Sequence, residues 1–344
     1  MKKTLFYIFL FAYAASFSAV AQNFKTPIEY LNYIGKETEQ ISASTWKYTK
    51  AVAHSKRARK IEATRKELIK SIQSAIKKIE AAKNGYNGDT EYRDQLLAYL
   101  TVTENYINEE YSKIINLQEV AEQSYDFMEA YITARDLINN KINSEVEKLN
   151  INQKIFANKY NIQITENNSK LSQNMKISDE VFDHQSEMYL IFFKVYITDE
   201  NLMKAVAAND INSIQQNASA LEQYADEGLM KLKDAKPYKN DMLLVNATKK
   251  MLETYKKEAV EYAPQVVDFM MMKQKAEEAG KSINSKSSPS KEEIAAYNKT
   301  VADFNKLISN YNNLNTNYNN DKNKAINDWN QASETFVSKH VPKD

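Results

Sequence analysis

The chain contains no cysteine. That excludes a disulfide framework, a thiolate nucleophile and a cysteine-borne lipid anchor. Glycine and proline are scarce, five of each in 344 residues. Sheet proteins turn every few residues and draw on both at those turns, so the scarcity argues against a strand-rich fold. Only three histidines occur, His54, His184 and His340, far apart in sequence. There is no Gly-rich phosphate loop and no Gly-x-Ser-x-Gly turn. With no catalytic set in view, the chain reads as non-enzymatic. An excess of one charge is also missing, since 46 Lys and Arg face 45 Asp and Glu. A general nucleic-acid binder carries a basic surface, so nucleic acid is not an expected partner. Beyond the first residues the most apolar stretch is Met188–Ile197, interrupted by Lys194 and too short for a transmembrane span.

What is present points to helices: many Lys, Glu, Ala, Asn and Gln. Residues 1–21 read as a signal peptide. Lys2 and Lys3 precede an apolar run from Leu5 to Phe17, and Ala19-Val20-Ala21 fits a small-x-small cleavage site. The mature chain is then expected in the periplasm, at the cell surface or secreted. Thr26 followed by Pro27 predicts the start of a first helix, to His54, and a second is expected from about Ser55 to Lys83. Asn84–Asp89 is a turn. From Thr90 to Ile162 no glycine or proline occurs, and a bend is expected near Leu137–Ser144, with Asn139 and Asn140 as the local breakers. Thr165–Lys176 reads as a polar link, and Ser178-Asp179 as the cap of the next helix. Asn209-Asp210 caps another. Pro264 predicts a kink near Glu261–Pro264. Ser290 with Glu293 is a capping box for the last helix, whose seam Tyr297, Phe304, Tyr311, Tyr318 has a coiled-coil period.

The two halves of the sequence align. Lys78-Ile79, Tyr86 and Asp89 match Lys231-Leu232, Tyr238 and Asp241, and Leu100 matches Leu252. Lys154-Ile155-Phe156 is matched to Lys306-Leu307-Ile308, which keeps the offset near 152–154 throughout. The expectation is an all-α protein of two tandem four-helix-bundle units from an internal duplication, residues 22–170 and 171–344.

Three groups of residues could carry function. Lys50, His54, Lys56, Arg57, Arg59 and Lys60 crowd the bend of the first hairpin, where guanidinium and ammonium groups could hold a phosphate, a sulfate or an anionic polysaccharide. The competing reading is a solvated face paired with Glu109, Glu110, Glu119 and Glu122. Trp46, on the same flank, is either part of an aromatic box or a core residue. Asp183, His184 and Glu187 share one helical flank and are of the types that bind iron or zinc. Their competing reading is an acidic first turn with an ordinary histidine.

The run Phe182-Asp183-His184-Gln185-Ser186-Glu187-Met188-Tyr189-Leu190 resembles the His-x-x-Glu helix of imelysin-like proteins, exported duplicated helical bundles linked to iron handling. That resemblance implies a periplasmic or surface metal-handling role. It lacks the family's glycine before the histidine and has no second motif. Tyr30–Arg65, with Trp46 and Ala51-Val52-Ala53-His54-Ser55-Lys56-Arg57-Ala58-Arg59-Lys60, resembles a family of bacterial helical surface proteins with no established activity. That second resemblance implies compartment and fold only. The signal segment, the duplicated bundle and the basic bend make an extracytoplasmic protein or an anionic polymer the expected partner.

Overall fold

The structure, a computed structural model, describes residues 23–55, 57–110, 125–164 and 169–343. The expected signal peptide and Lys56 lie outside them. The described residues are helical without a strand. They form α1 (Pro27–His54), α2 (Ala58–Ala81), α3 (Glu91–Asn105) with a π-helical segment Tyr106–Glu110, and α4 (Tyr125–Lys159). Then follow α5 (Lys170–Ala208), α6 (Ile211–Asp234), α7 (Leu243–Lys257) with a second π segment Glu258–Tyr262, α8 (Ala263–Asn284) and α9 (Lys291–His340). No helix among them is long and apolar enough to cross a membrane.

Helix ends follow local chemistry. Thr26 Oγ1 accepts the Glu29 N–H at 3.1 Å and Pro27 opens α1. Asp210 caps α6, and the Ser290–Glu293 capping box starts α9. In the α2–α3 turn Gly85 has φ +53, and a Cβ there would meet the Asp89 carbonyl oxygen at 1.8 Å, so glycine is required.

Two expectations are corrected and a third is located more closely. No bend interrupts Leu137–Ser144, because α4 runs unbroken through it. Asn139 and Asn140 each cost well under about 1 kcal/mol in a helix, too little to stop one that is packed. Ser178-Asp179 does not start a helix. Ser169 caps α5 nine residues earlier, and Ser178 is fully buried with its hydroxyl donating to the Asn174 carbonyl. Near Pro264 the distortion lies in the preceding turn as the π segment, and the proline occupies the start of α8.

Among the described residues, the order helix, helix, bridged turn, helix and π segment of the first half returns in the second. Isolated bridges Tyr86–Asp89 and Tyr238–Asp241 mark both turns, and a π segment ends α3 and α7 alike. The last helices correspond differently from the sequence alignment. Phe156 and Phe336 occupy equivalent places, as do Lys159 and Lys339, an offset of 180 (336 less 156). Phe156 lies 5.1 Å from Tyr30 and 6.3 Å from Tyr86 between ring centres, while Phe336 lies 5.3 Å from His184 and 5.9 Å from Tyr238.

Each half closes on its own core. Tyr30, Ile34, Leu68, Ile72, Ile79, Leu96, Leu100 and Phe156 form the first. Met188, Leu202, Leu221, Leu252, Tyr255, Trp329 and Phe336 belong to the second. Trp46, on α1, is buried in the second core, which decides for the core reading of that residue. Met128 of α4 is buried against Phe193 and Ile197 of α5. The N-terminal part of α9 pairs with α8 through stacked rings, Phe269 with Tyr311 at 4.1 Å and Phe269 with Phe304 at 5.7 Å.

Candidate functional site

The bend of the first hairpin is where α1 ends at His54 and α2 begins at Ala58. A groove of about 960 Å³ runs past it, walled by α1, α5 and α9 and including His54, Ser55, Phe182, Gln185, Lys339 and Lys343. His54 is half-buried. Its Nε2 lies 3.4 Å from the Pro342 carbonyl, and its Nδ1 is buried without a hydrogen-bond partner. Lys50 donates to the Lys343 carbonyl at 3.3 Å, with its ammonium 5.6 Å from the Trp46 ring centre. So two of the six cationic candidates are turned onto the last residues of the chain. Arg57, Arg59 and Lys60 are exposed.

Three further cations of the hairpin, Lys47, Arg65 and Lys66, are paired within it. Lys47 reaches Glu67 at 2.6 Å, and Arg65 makes two 2.8 Å bonds to Glu62, which also accepts Lys66 at 3.4 Å. The Arg65 guanidinium, then Lys66, hold the Glu62 carboxyl down to about 2. The side chains of Glu109, Glu110, Glu119 and Glu122 lie outside the described residues. Among the described residues, Glu62 and Glu67 are the acids that pair with cations of this hairpin, and Arg57, Arg59 and Lys60 at the tip are exposed.

Asp183, His184 and Glu187 are not brought together. Asp183 and Glu187 are exposed, whereas His184 turns inward against Phe336 and Tyr238. Its Nε2 is buried without a hydrogen-bond partner, and burial pulls its pKa below the ordinary value. Among the described residues no group of three or more His, Asp or Glu could hold a metal ion.

A third site went unnoticed in the sequence. Asp199 of α5 and Glu258, first residue of the second π segment, are both fully buried. Lys322 of α9 donates to both Asp199 oxygens at 2.8 and 3.1 Å. Neither Glu258 oxygen makes a hydrogen bond, although Asp199 and the Tyr318 hydroxyl stand beside it. The Tyr255 and Tyr318 hydroxyls are likewise buried without a partner. One ammonium cannot balance two carboxylates in an apolar interior, so one carboxyl keeps its proton. Desolvation first, then the Asp199 charge, push Glu258 up to about 9. The signal was there: Asp199 falls on the stripe Val195, Leu202, Glu258 on Tyr255, Tyr262, and Lys322 on Tyr318, Ala325, each a charge on an apolar face.

The chain matches no protein-family model, no curated protein and no solved structure. Its sites are therefore read from their own chemistry.

Proposed function

We propose that this is an exported, non-enzymatic helical-bundle protein, derived by duplication of one bundle, that binds an anionic polymer outside the cytoplasm through the bend between α1 and α2. The observation that carries the reading is the exposure of Arg57, Arg59 and Lys60 together at one tip, beside a groove holding half-buried His54. Guanidinium groups bind sulfate and phosphate in bidentate fashion, and three adjacent cations engage a polymer better than a single ion. Lys50, one helical turn before His54, adjoins the same bend. The repeated order of helix, helix, bridged turn, helix and π segment supports the duplication.

The test is retention of the full mature chain on an immobilised sulfated polysaccharide across a salt gradient. The wild type is expected to elute late, with retention falling steeply as salt rises. The variant Arg57→Ser/Arg59→Ser/Lys60→Ser should elute early with an unchanged melting temperature. Absence of salt-dependent retention in the wild type, or equal retention of the triple variant, overturns the proposal.

A further inference from the structure

The two π segments are answered differently, and the difference outlines a pocket. In the first half Arg65 of α2 is only 8% exposed. Besides its bonds to Glu62, it donates Nη1–H to the Ile107 carbonyl at 2.9 Å. Ile107 is the second residue of the first π segment. A π turn takes carbonyls out of the ordinary ladder, and such turns accompany functional sites. Here a guanidinium from the neighbouring helix supplies a donor.

In the second half Ala218 of α6 stands where Arg65 stands. Three residues on in each helix, Leu68 and Leu221 are equally buried. Ala259, second residue of the second π segment, stands where Ile107 stands. Ala218 and Ala259 line one pocket of about 370 Å³, open to the surface. Ile214, Val267 and Met271 give it an apolar wall, and Glu222 and Asp268, both exposed, stand at it with negative charge. The Ala259 carbonyl also has no backbone N–H next in line for it in the π register. Within the π register the Ala263 N–H returns to the Glu258 carbonyl, so the next donor in sequence would be residue 264. That residue is proline, which has no N–H. The residue whose counterpart carbonyl an arginine satisfies in one half thus lines, in the other, a pocket where an alanine stands in place of the arginine.

We propose that this pocket binds an arginine side chain presented by a partner protein. Its aliphatic stem lies along Val267 and Met271, and its guanidinium meets the Ala259 carbonyl and the carboxylates of Glu222 and Asp268. A planar fork of donors spans a carbonyl and a carboxylate at once. A lysine ammonium, a strongly hydrated point charge, does so less well. Arg65 within this chain is the pattern for the guest. This inference stands apart from the anionic ligand proposed above, since it concerns another half, another face and the opposite charge.

The test uses the full chain with methyl-labelled alanine and methionine, titrated with N-acetyl-arginine amide, its lysine counterpart and its citrulline counterpart. Arginine amide is expected to give saturable shifts at the Ala218, Ala259 and Met271 methyls. Lysine amide and neutral citrulline amide should bind about tenfold more weakly, the equivalent of one charge-assisted hydrogen bond. Glu222→Gln/Asp268→Asn should weaken arginine binding by about the same factor. Gln215→Glu/Ala218→Arg copies the Glu62–Arg65 pair into α6 and should abolish it. If that variant fails to fold, the acid-pair variant decides alone. No saturable shift with arginine amide, equal shifts with citrulline amide, or binding indifferent to the acid pair overturns the proposal.

Discussion

At one end of the first half, Tyr30, Tyr86, Phe156 and Tyr160 close over Asp89. At the corresponding end of the second, His184, Tyr238, Phe336 and His340 close over Asp241. The ring geometry hardly differs. Tyr86 meets Tyr160 at 5.0 Å and 85°, and Tyr238 meets His340 at 5.1 Å and 84°. The chemistry beneath it does. Asp89 accepts Lys159 at 2.8 Å and the Tyr160 hydroxyl at 3.3 Å. Asp241 has Lys339 Nζ at 2.7 Å and His340 Nε2 at 2.8 Å from one oxygen, and accepts the Leu243 N–H on the other. These contacts hold its carboxyl far below the usual range, the Lys339 bond foremost. Packing dictates where a ring must stand and how it is tilted, while the polar group it carries is free to change. The same holds deeper in. Where the second bundle buries Asp199 and Lys322, the first has Thr45, whose hydroxyl donates to the Ile41 carbonyl, and half-buried Ile142.

The comparison can be broken most forcefully at the two phenylalanines. Phe156→Ala and Phe336→Ala should each cost about 3–5 kcal/mol by denaturant unfolding, since both rings are buried. A difference of several kcal/mol between them would undo the equivalence of α4 and α9. Lys322→Met comes next. It strands Asp199 in the interior and should destabilise by about 3 kcal/mol, against less than about 1 kcal/mol for Ile142→Met in the first half. A third test sharpens the contrast between the buried acids through pH. Folding keeps the proton on Glu258, whereas the unfolded chain releases it above its ordinary 4.5. The stabilisation is therefore complete in acid and is lost as pH climbs through about 9. Melting temperature should decline across that window, and Glu258→Gln should flatten the decline. Equal slopes in both proteins would show that Glu258 does not titrate as its surroundings require.

Much of the fold could be read from single residues. Thr26, Asp210 and Ser290 announce helix starts because a short oxygen-bearing side chain ahead of an apolar period has few other uses. The true register of the last helices was hidden for a physical reason. Offsets of 152 and 180 differ by 28 residues, four heptads, so sliding α9 along its partners by that amount leaves the apolar stripe on the same side. Only the contacts of Phe336 and Lys339 distinguish the two. Of the cationic bend, sequence gave away the density of charge. It could not show that Lys50 and His54 face the carbonyls of Lys343 and Pro342, because those partners are nearly three hundred positions distant. Asp199, Glu258 and Lys322 escaped because each looks like a stray charge on its own helix. Their meaning lies in converging from three helices.

Trp46 belongs to one half by its place in the chain and to the other by burial, and Met128 repeats the arrangement from α4. A protease that severed residues 160–169 would therefore not liberate two products. The pieces would stay clasped and co-migrate until denatured, and heat would melt them as one body. Whatever force or ligand reaches the tip of α1 is felt in the interior of its neighbour, through Trp46.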